Sequence, residues 1–132
     1  MIITAALVGA GLGALMMLTM FHAGMLQERS GSAVLLAAVA VFYPVFAVIE
    51  GDFADLFLHG AIFLGFVWLA LRGFRYGMHV IAGGLLAHGI FDLGLIGLSA
   101  PGPIWWPVFC ASLDIVAAGA MIRLIQSGKI AK

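Results

Sequence analysis

Five apolar stretches, each about as long as a bilayer is thick and parted by short polar breaks, constrain this chain more than any other feature. No Asp, Glu, Lys or Arg occurs in the first 27 residues. Residues 2–24 form the first stretch, and a helix needs only about 20 apolar residues to cross the hydrocarbon layer. The others cover residues 32–50, 53–72, 76–98 and 104–124. Gln27-Glu28-Arg29-Ser30-Gly31, Glu50-Gly51-Asp52, Arg72-Gly73-Phe74-Arg75 and Ser99-Ala100-Pro101-Gly102-Pro103 punctuate them. Two prolines and a glycine end the fourth stretch, because proline supplies no helical N–H. The first stretch reads as a span rather than a signal peptide: it has no basic segment before it and exceeds the roughly 7–15 residues of a signal core.

Composition closes off the alternatives. With 64% hydrophobic and 9% charged residues, a water-soluble fold would expose apolar patches over its whole surface. Six Lys and Arg balance six Asp and Glu, so no basic stripe exists to neutralise nucleic-acid phosphates, and the hydrophobicity excludes a disordered chain. Cys110 is the sole cysteine, which rules out an internal disulfide and a cysteine-rich zinc site. The expected fold is therefore all-α: one integral membrane domain, residues 1–132, built as a five-transmembrane-helix bundle in lipid.

Charge sets the expected orientation, since Lys and Arg in short loops favour the cytoplasmic side. With the N-terminus outside, Arg29, Arg72, Arg75, Arg123, Lys129 and Lys132 all fall inside with the C-terminus. The Glu50-Gly51-Asp52 turn and the Pro-Gly-Pro loop then fall outside. Trp105 and Trp106 sit where an outer aromatic belt belongs, and Trp68 and Tyr76 near an inner one. Small residues four apart mark helix contacts in lipid: Ala5, Gly9 and Gly13 on the first span, Gly83 and Gly84 with Ala87 on the fourth.

Several ionisable residues fall inside the spans, where an Asp costs about 2.5–3.5 kcal/mol by insertion scales. His88 and Asp114 lie near the middles of the fourth and fifth spans, with Asp92 roughly 6 Å and His59 about 5 Å toward the outer side. At about 100° per residue, His88 and Asp92 share a face, as do Cys110 and Asp114, and Asp52, Asp55 and His59 form a stripe. His59, His88, Asp92 and Asp114 can thus converge from three helices. Two imidazoles and two carboxylates suit zinc, iron or manganese. The same residues suit a proton relay, because imidazole changes charge near neutral pH. In an enzyme, His88, Asp92 and Asp114 would be the catalytic ligands or the general acid and base, acting on a small lipophilic substrate. The competing reading is polar glue: a hydrogen-bonded His88–Asp92 pair, with Asp114 accepting from a serine, Tyr43 or backbone. Haem ligation by His59 and His88 is conceivable, but nothing else in the sequence suggests haem. Cys110 reads as a packing residue, and His22 and His79 as interfacial ones.

The string Leu85-Leu86-Ala87-His88-Gly89-Ile90-Phe91-Asp92, followed after a proline-rich loop by Pro107-Val108-Phe109-Cys110-Ala111-Ser112-Leu113-Asp114, resembles a family of small bacterial integral membrane proteins of unknown function. That family carries an H-x3-D helix and then a C-x3-D helix, matched here by His88, Asp92, Cys110 and Asp114. The chain departs from it after Asp92, where Leu93-Gly94-Leu95 stands in place of further histidines. The resemblance implies a helical fold and a bacterial inner-membrane location but no known reaction. Two function classes follow from the sequence: an intramembrane His/Asp centre that binds a divalent metal ion or cycles a proton, or a non-catalytic accessory subunit or transporter component. Expected partners are the lipid bilayer and either further copies of the chain or a larger membrane complex.

Overall fold

A computed structural model describes residues 1–131, so Lys132 lies outside the described residues. Six helices carry the fold: α1 (Ile2–His22), α2 (Ser30–Ala40), α3 (Phe42–Glu50), α4 (Phe53–Tyr76), α5 (Met78–Leu95) and α6 (Trp106–Gln126). Counting the α2–α3 pair as one 21-residue path, five segments are long and apolar enough to cross a membrane. The chain is an all-helical, polytopic bundle, as composition and spacing predict.

Where span boundaries differ from the sequence reading, backbone chemistry gives the reason. Residues 32–50 are not one continuous helix. The path breaks at Val41, three residues before Pro44, whose nitrogen cannot donate to the Ala40 carbonyl. Segment 53–72 extends to Tyr76, running through Gly73 and stopping at Gly77, whose φ of 144° only glycine holds without strain. Tight packing of Gly73 against Ile81 of α5 explains a glycine inside that helix. The fourth span starts at Met78 and ends at Leu95 instead of Leu98, and the fifth starts at Trp106 with Pro107 in its first turn, where a missing N–H costs nothing. The first ends at His22.

Between α3 and α4 the chain reverses tightly. Asp52 N–H bonds back to the Ala47 carbonyl around left-handed Gly51, and the Asp52 carboxylate accepts from the Asp55 N–H. Asp52 is thus the exposed N-cap of α4.

Neighbouring spans alternate in direction, so residues 22–30, 72–79 and 123–131 share one end, which carries Arg29, Arg72, Arg75, Arg123 and Lys129. At the opposite, acidic end, Glu50 Oε1 accepts the Gly102 N–H at 2.7 Å and ties the two loops together. The Arg72 guanidinium stacks on Trp68 and Tyr76, 5.1 and 4.7 Å from their ring centres, which suits a polar–apolar interface.

α6 packs between α1 and α5, while α4 packs against α2, α3 and α5. The α1–α6 seam uses the expected small residues: Gly9 presses on Phe109 and Ser112, and Gly13 on Leu113. On α5 the small-residue expectation is corrected. Gly84 packs on Leu36, but Gly83 and Ala87 face outward, since they share a stripe about 100° round the helix from the packed stripe of Gly84 and His88. The buried apolar cluster, including Leu36, Ile81, Leu85, Ala118 and Met121, fills the bundle toward the basic end. It leaves the polar residues in the middle and toward the acidic end.

Candidate metal centre

α5 and α6 bring their ionisable residues together because Gly89 lets them approach. A Cβ at Gly89 would sit 3.2 Å from the Ala111 carbonyl and 3.3 Å from Asp114 Cβ, tighter than ordinary contact. Across this seam the His88 Nδ1–H donates to Asp114 Oδ2 at 2.7 Å. The same nitrogen lies 3.3 Å from Asp92 Oδ2, one helical turn along α5. One ligand atom from each of His88, Asp92 and Asp114 falls within 4.8 Å of the others, and all three residues are buried.

The α2–α3 kink supplies the next contact. Tyr43, the second residue of α3, donates its hydroxyl to Asp92 Oδ1 at 2.8 Å. The polar-glue reading has Asp114 accepting from a serine, Tyr43 or backbone; in the structure Tyr43 serves Asp92, and Asp114 takes its bond from His88. Sequence reasoning gave Tyr43 no larger role, although a buried tyrosine beside a helix-breaking proline is a recognisable signal for a directed hydroxyl.

His59 stands outside the triad. It is buried, and its ring stacks on Tyr43 with centroids 5.1 Å apart, while its Nδ1 has no hydrogen-bond partner. Phe91 touches the rings of Tyr43, His59 and His88, and Phe66 meets His88 edge-on at 4.8 Å. The structure therefore groups three of the four expected ligands directly and places the fourth one ring away, behind Tyr43. Cys110 is buried one turn before Asp114, and Asp55, partly exposed, lies one turn before His59. His22 and His79 are exposed.

Two carboxylate oxygens of the triad, Asp92 Oδ2 and Asp114 Oδ1, are buried without a hydrogen-bond partner. Buried acceptors without partners are uncommon and costly. Charge sharpens the point. One imidazole faces two carboxylates, and the described Lys and Arg side chains all belong to the basic end. Even a protonated His88 leaves the group one negative charge in excess. A divalent ion beside a neutral imidazole cancels the charge entirely, as do two protons. Nitrogen and carboxylate donors at this spacing could hold such an ion: bonds of about 2.0–2.2 Å put ligand atoms roughly 3–3.5 Å apart, so His88 and Asp114 would open slightly from their 2.7 Å hydrogen bond while Asp92 is already at that distance.

Toward the acidic end an aromatic layer closes the bundle. Phe42 and Phe46 pack on Trp106 at 4.7 and 5.1 Å, and Phe46 also lies against Gly102. Surface grooves of about 460, 400 and 260 Å³ lie elsewhere, the first between α1 and α6, the second beside Trp105 and Trp106, the third between α2 and α4.

The fold and this group define a multi-pass helical membrane protein with a buried His/Asp/Asp cluster able to hold a metal ion. Comparison with known proteins adds no identity, as no family model, curated protein or solved structure matches the chain.

Proposed function

We propose that the protein binds a divalent cation inside the bilayer through His88, Asp92 and Asp114. The observation that carries this reading is the mismatch of one imidazole and two carboxylates, with Asp114 Oδ1 buried without a hydrogen-bond partner and Asp92 Oδ2 facing only the His88 nitrogen at 3.3 Å. Zinc, iron and manganese all accept this donor set. Tyr43 holds Asp92 from behind, the outer-shell support that ligating carboxylates need. His59, stacked on Tyr43 with its Nδ1 outside any hydrogen bond, is a further donor on α4 beside the triad.

Proton cycling is the second reading, favoured by the 2.7 Å His88–Asp114 bond and its link through Asp92 to Tyr43. The polar-glue role of an accessory subunit or transporter component draws on the same bonds but leaves the buried Asp114 Oδ1, which has no hydrogen-bond partner, without a purpose. The distribution of Lys and Arg supports an orientation with the N-terminus outside. The resemblance to small bacterial membrane proteins supports an inner-membrane location.

Metal analysis of detergent-purified protein tests the proposal. Near-stoichiometric metal that His88→Ala abolishes is the expected result. Less than about a tenth of an ion per wild-type chain, after growth and purification with added zinc, iron or manganese, would overturn it, because a tight site holds its ion with ~10–16 kcal/mol.

A further inference from the structure

On the opposite face of α6 from the triad, α1 and α6 enclose a groove of about 460 Å³ near the basic end. That volume lies within the roughly 300–1,000 Å³ of ligand clefts. Its walls are apolar, with Leu18 and Phe21 from α1 and Leu124 from α6, and its rim carries Arg123 and Lys129. We infer that this groove binds an anionic glycerophospholipid, its phosphodiester against Arg123 and Lys129 and an acyl chain along the α1–α6 wall.

The cationic rim is built into the fold. Gly128 turns left-handed after α6, and the Lys129 N–H bonds back to the Leu124 carbonyl at 3.0 Å, which returns the chain over the groove. Ile130 then buries its side chain in the apolar cluster and anchors that turn. Neither Arg123 nor Lys129 pairs with a carboxylate among the described residues, and Glu28 is the only acidic residue at this end. Two cations that no described carboxylate pairs, on the wall of an apolar trough where a helical bundle meets the headgroup layer, match a lipid whose headgroup has net negative charge. A zwitterionic headgroup brings its own cation and gains less. Basic pockets between membrane helices recognise lipid headgroups on this principle. The inference is independent of the metal centre, since none of its residues belongs to the triad.

Native mass spectrometry of the full chain in mild detergent, titrated with phosphatidylglycerol and with phosphatidylcholine of the same acyl chains, tests it. At about 1 kcal/mol for each cation, two cations give roughly a 30-fold preference for phosphatidylglycerol. The double variant Arg123→Gln/Lys129→Gln should bind both lipids alike, and Arg75→Gln, at the same end but off the groove, should keep the preference. Leu18→Trp, which fills the trough and leaves the cations, should lose the lipid. Equal wild-type binding of the two lipids would overturn the inference, as would a preference that survives the double variant. So would glycerol phosphate competing as well as the intact lipid, or a chain dimer occupying the groove in place of lipid.

Discussion

Replacing Asp114 by Asn separates a metal centre from polar glue, because the two readings predict effects on different quantities. The substitution keeps the shape of the side chain and an oxygen that can accept from His88, but removes one of the two negative charges. If Asp114 is a ligand, a site of three protein donors holding its ion with ~10 kcal/mol loses roughly a third of that, about 3 kcal/mol or two decades in affinity. The metal-free protein should not suffer. His88 and Asp92 remain 3.3 Å apart and can neutralise each other as imidazolium and carboxylate, so the variant sheds an excess charge rather than stranding one. Breaking a balanced buried pair, by contrast, costs about 3–5 kcal/mol because it strands a charge.

The assay pairs zinc calorimetry with denaturant unfolding of chelator-stripped protein, both in one mild detergent. The expected outcome is a zinc affinity weaker by about a hundredfold together with an unfolding free energy of the metal-free form at or above wild type. Zinc binding within threefold of wild type would refute the ligand role. A loss of about 3 kcal/mol in the metal-free form would refute the charge argument, showing that the pair had been balanced already.

Further outcomes follow from other contacts. Tyr43→Phe keeps the ring stacked on His59 and Phe91 but deletes the hydroxyl that holds Asp92, so metal affinity should fall 10–100-fold with the helical content unchanged, measured by the same calorimetry and by circular dichroism. Zinc binding should displace at least one proton from the triad, the one that makes His88 an imidazolium in the empty centre; repeating the calorimetry in buffers of different ionisation enthalpy counts them, and a count near zero would contradict the charge balance. Gly9→Leu should force α1 away from Phe109 and Ser112 and destabilise the bundle in a detergent unfolding titration, by about 1–3 kcal/mol as for other overpacked contacts. Gly11→Leu, on the open face of the same helix, should leave the midpoint unchanged.

These contacts also show which parts of the structure could be read from the sequence. The spans were legible because lipid demands about twenty apolar residues per crossing, a requirement that composition meets directly. The His88–Asp92 pair was legible because i, i+4 spacing fixes a shared face whatever the neighbours do. Gly83 and Ala87 misled because the same periodicity marks lipid-facing stripes as readily as helix contacts, and only the partner helix decides between them. The Tyr43 hydroxyl and the displacement of His59 were hidden for a different reason. Both depend on how far the α2–α3 path turns at Val41, an angle set by Pro44 and by packing against α4 and α5, which no spacing rule records.

The placement of small residues explains how charged groups can sit inside so apolar a bundle. His88 and Asp114 come within 2.7 Å only because Gly89 lets the α5 and α6 backbones close, and the Tyr43 hydroxyl reaches Asp92 only because α3 is redirected by the break before Pro44. The triad and its support therefore draw on α3, α5 and α6, with α4 covering them through His59 and Phe66. α1 touches none of this and packs on the far side of α6 through Gly9 and Gly13. A change that loosens α1 should thus disturb the groove beneath Arg123 and Lys129 while sparing the ion site. Gly9→Leu is the discriminating case: altered lipid selectivity with unaltered zinc affinity would show two separable functions on the two faces of α6, whereas loss of both would mean that α6 transmits α1's position to Asp114.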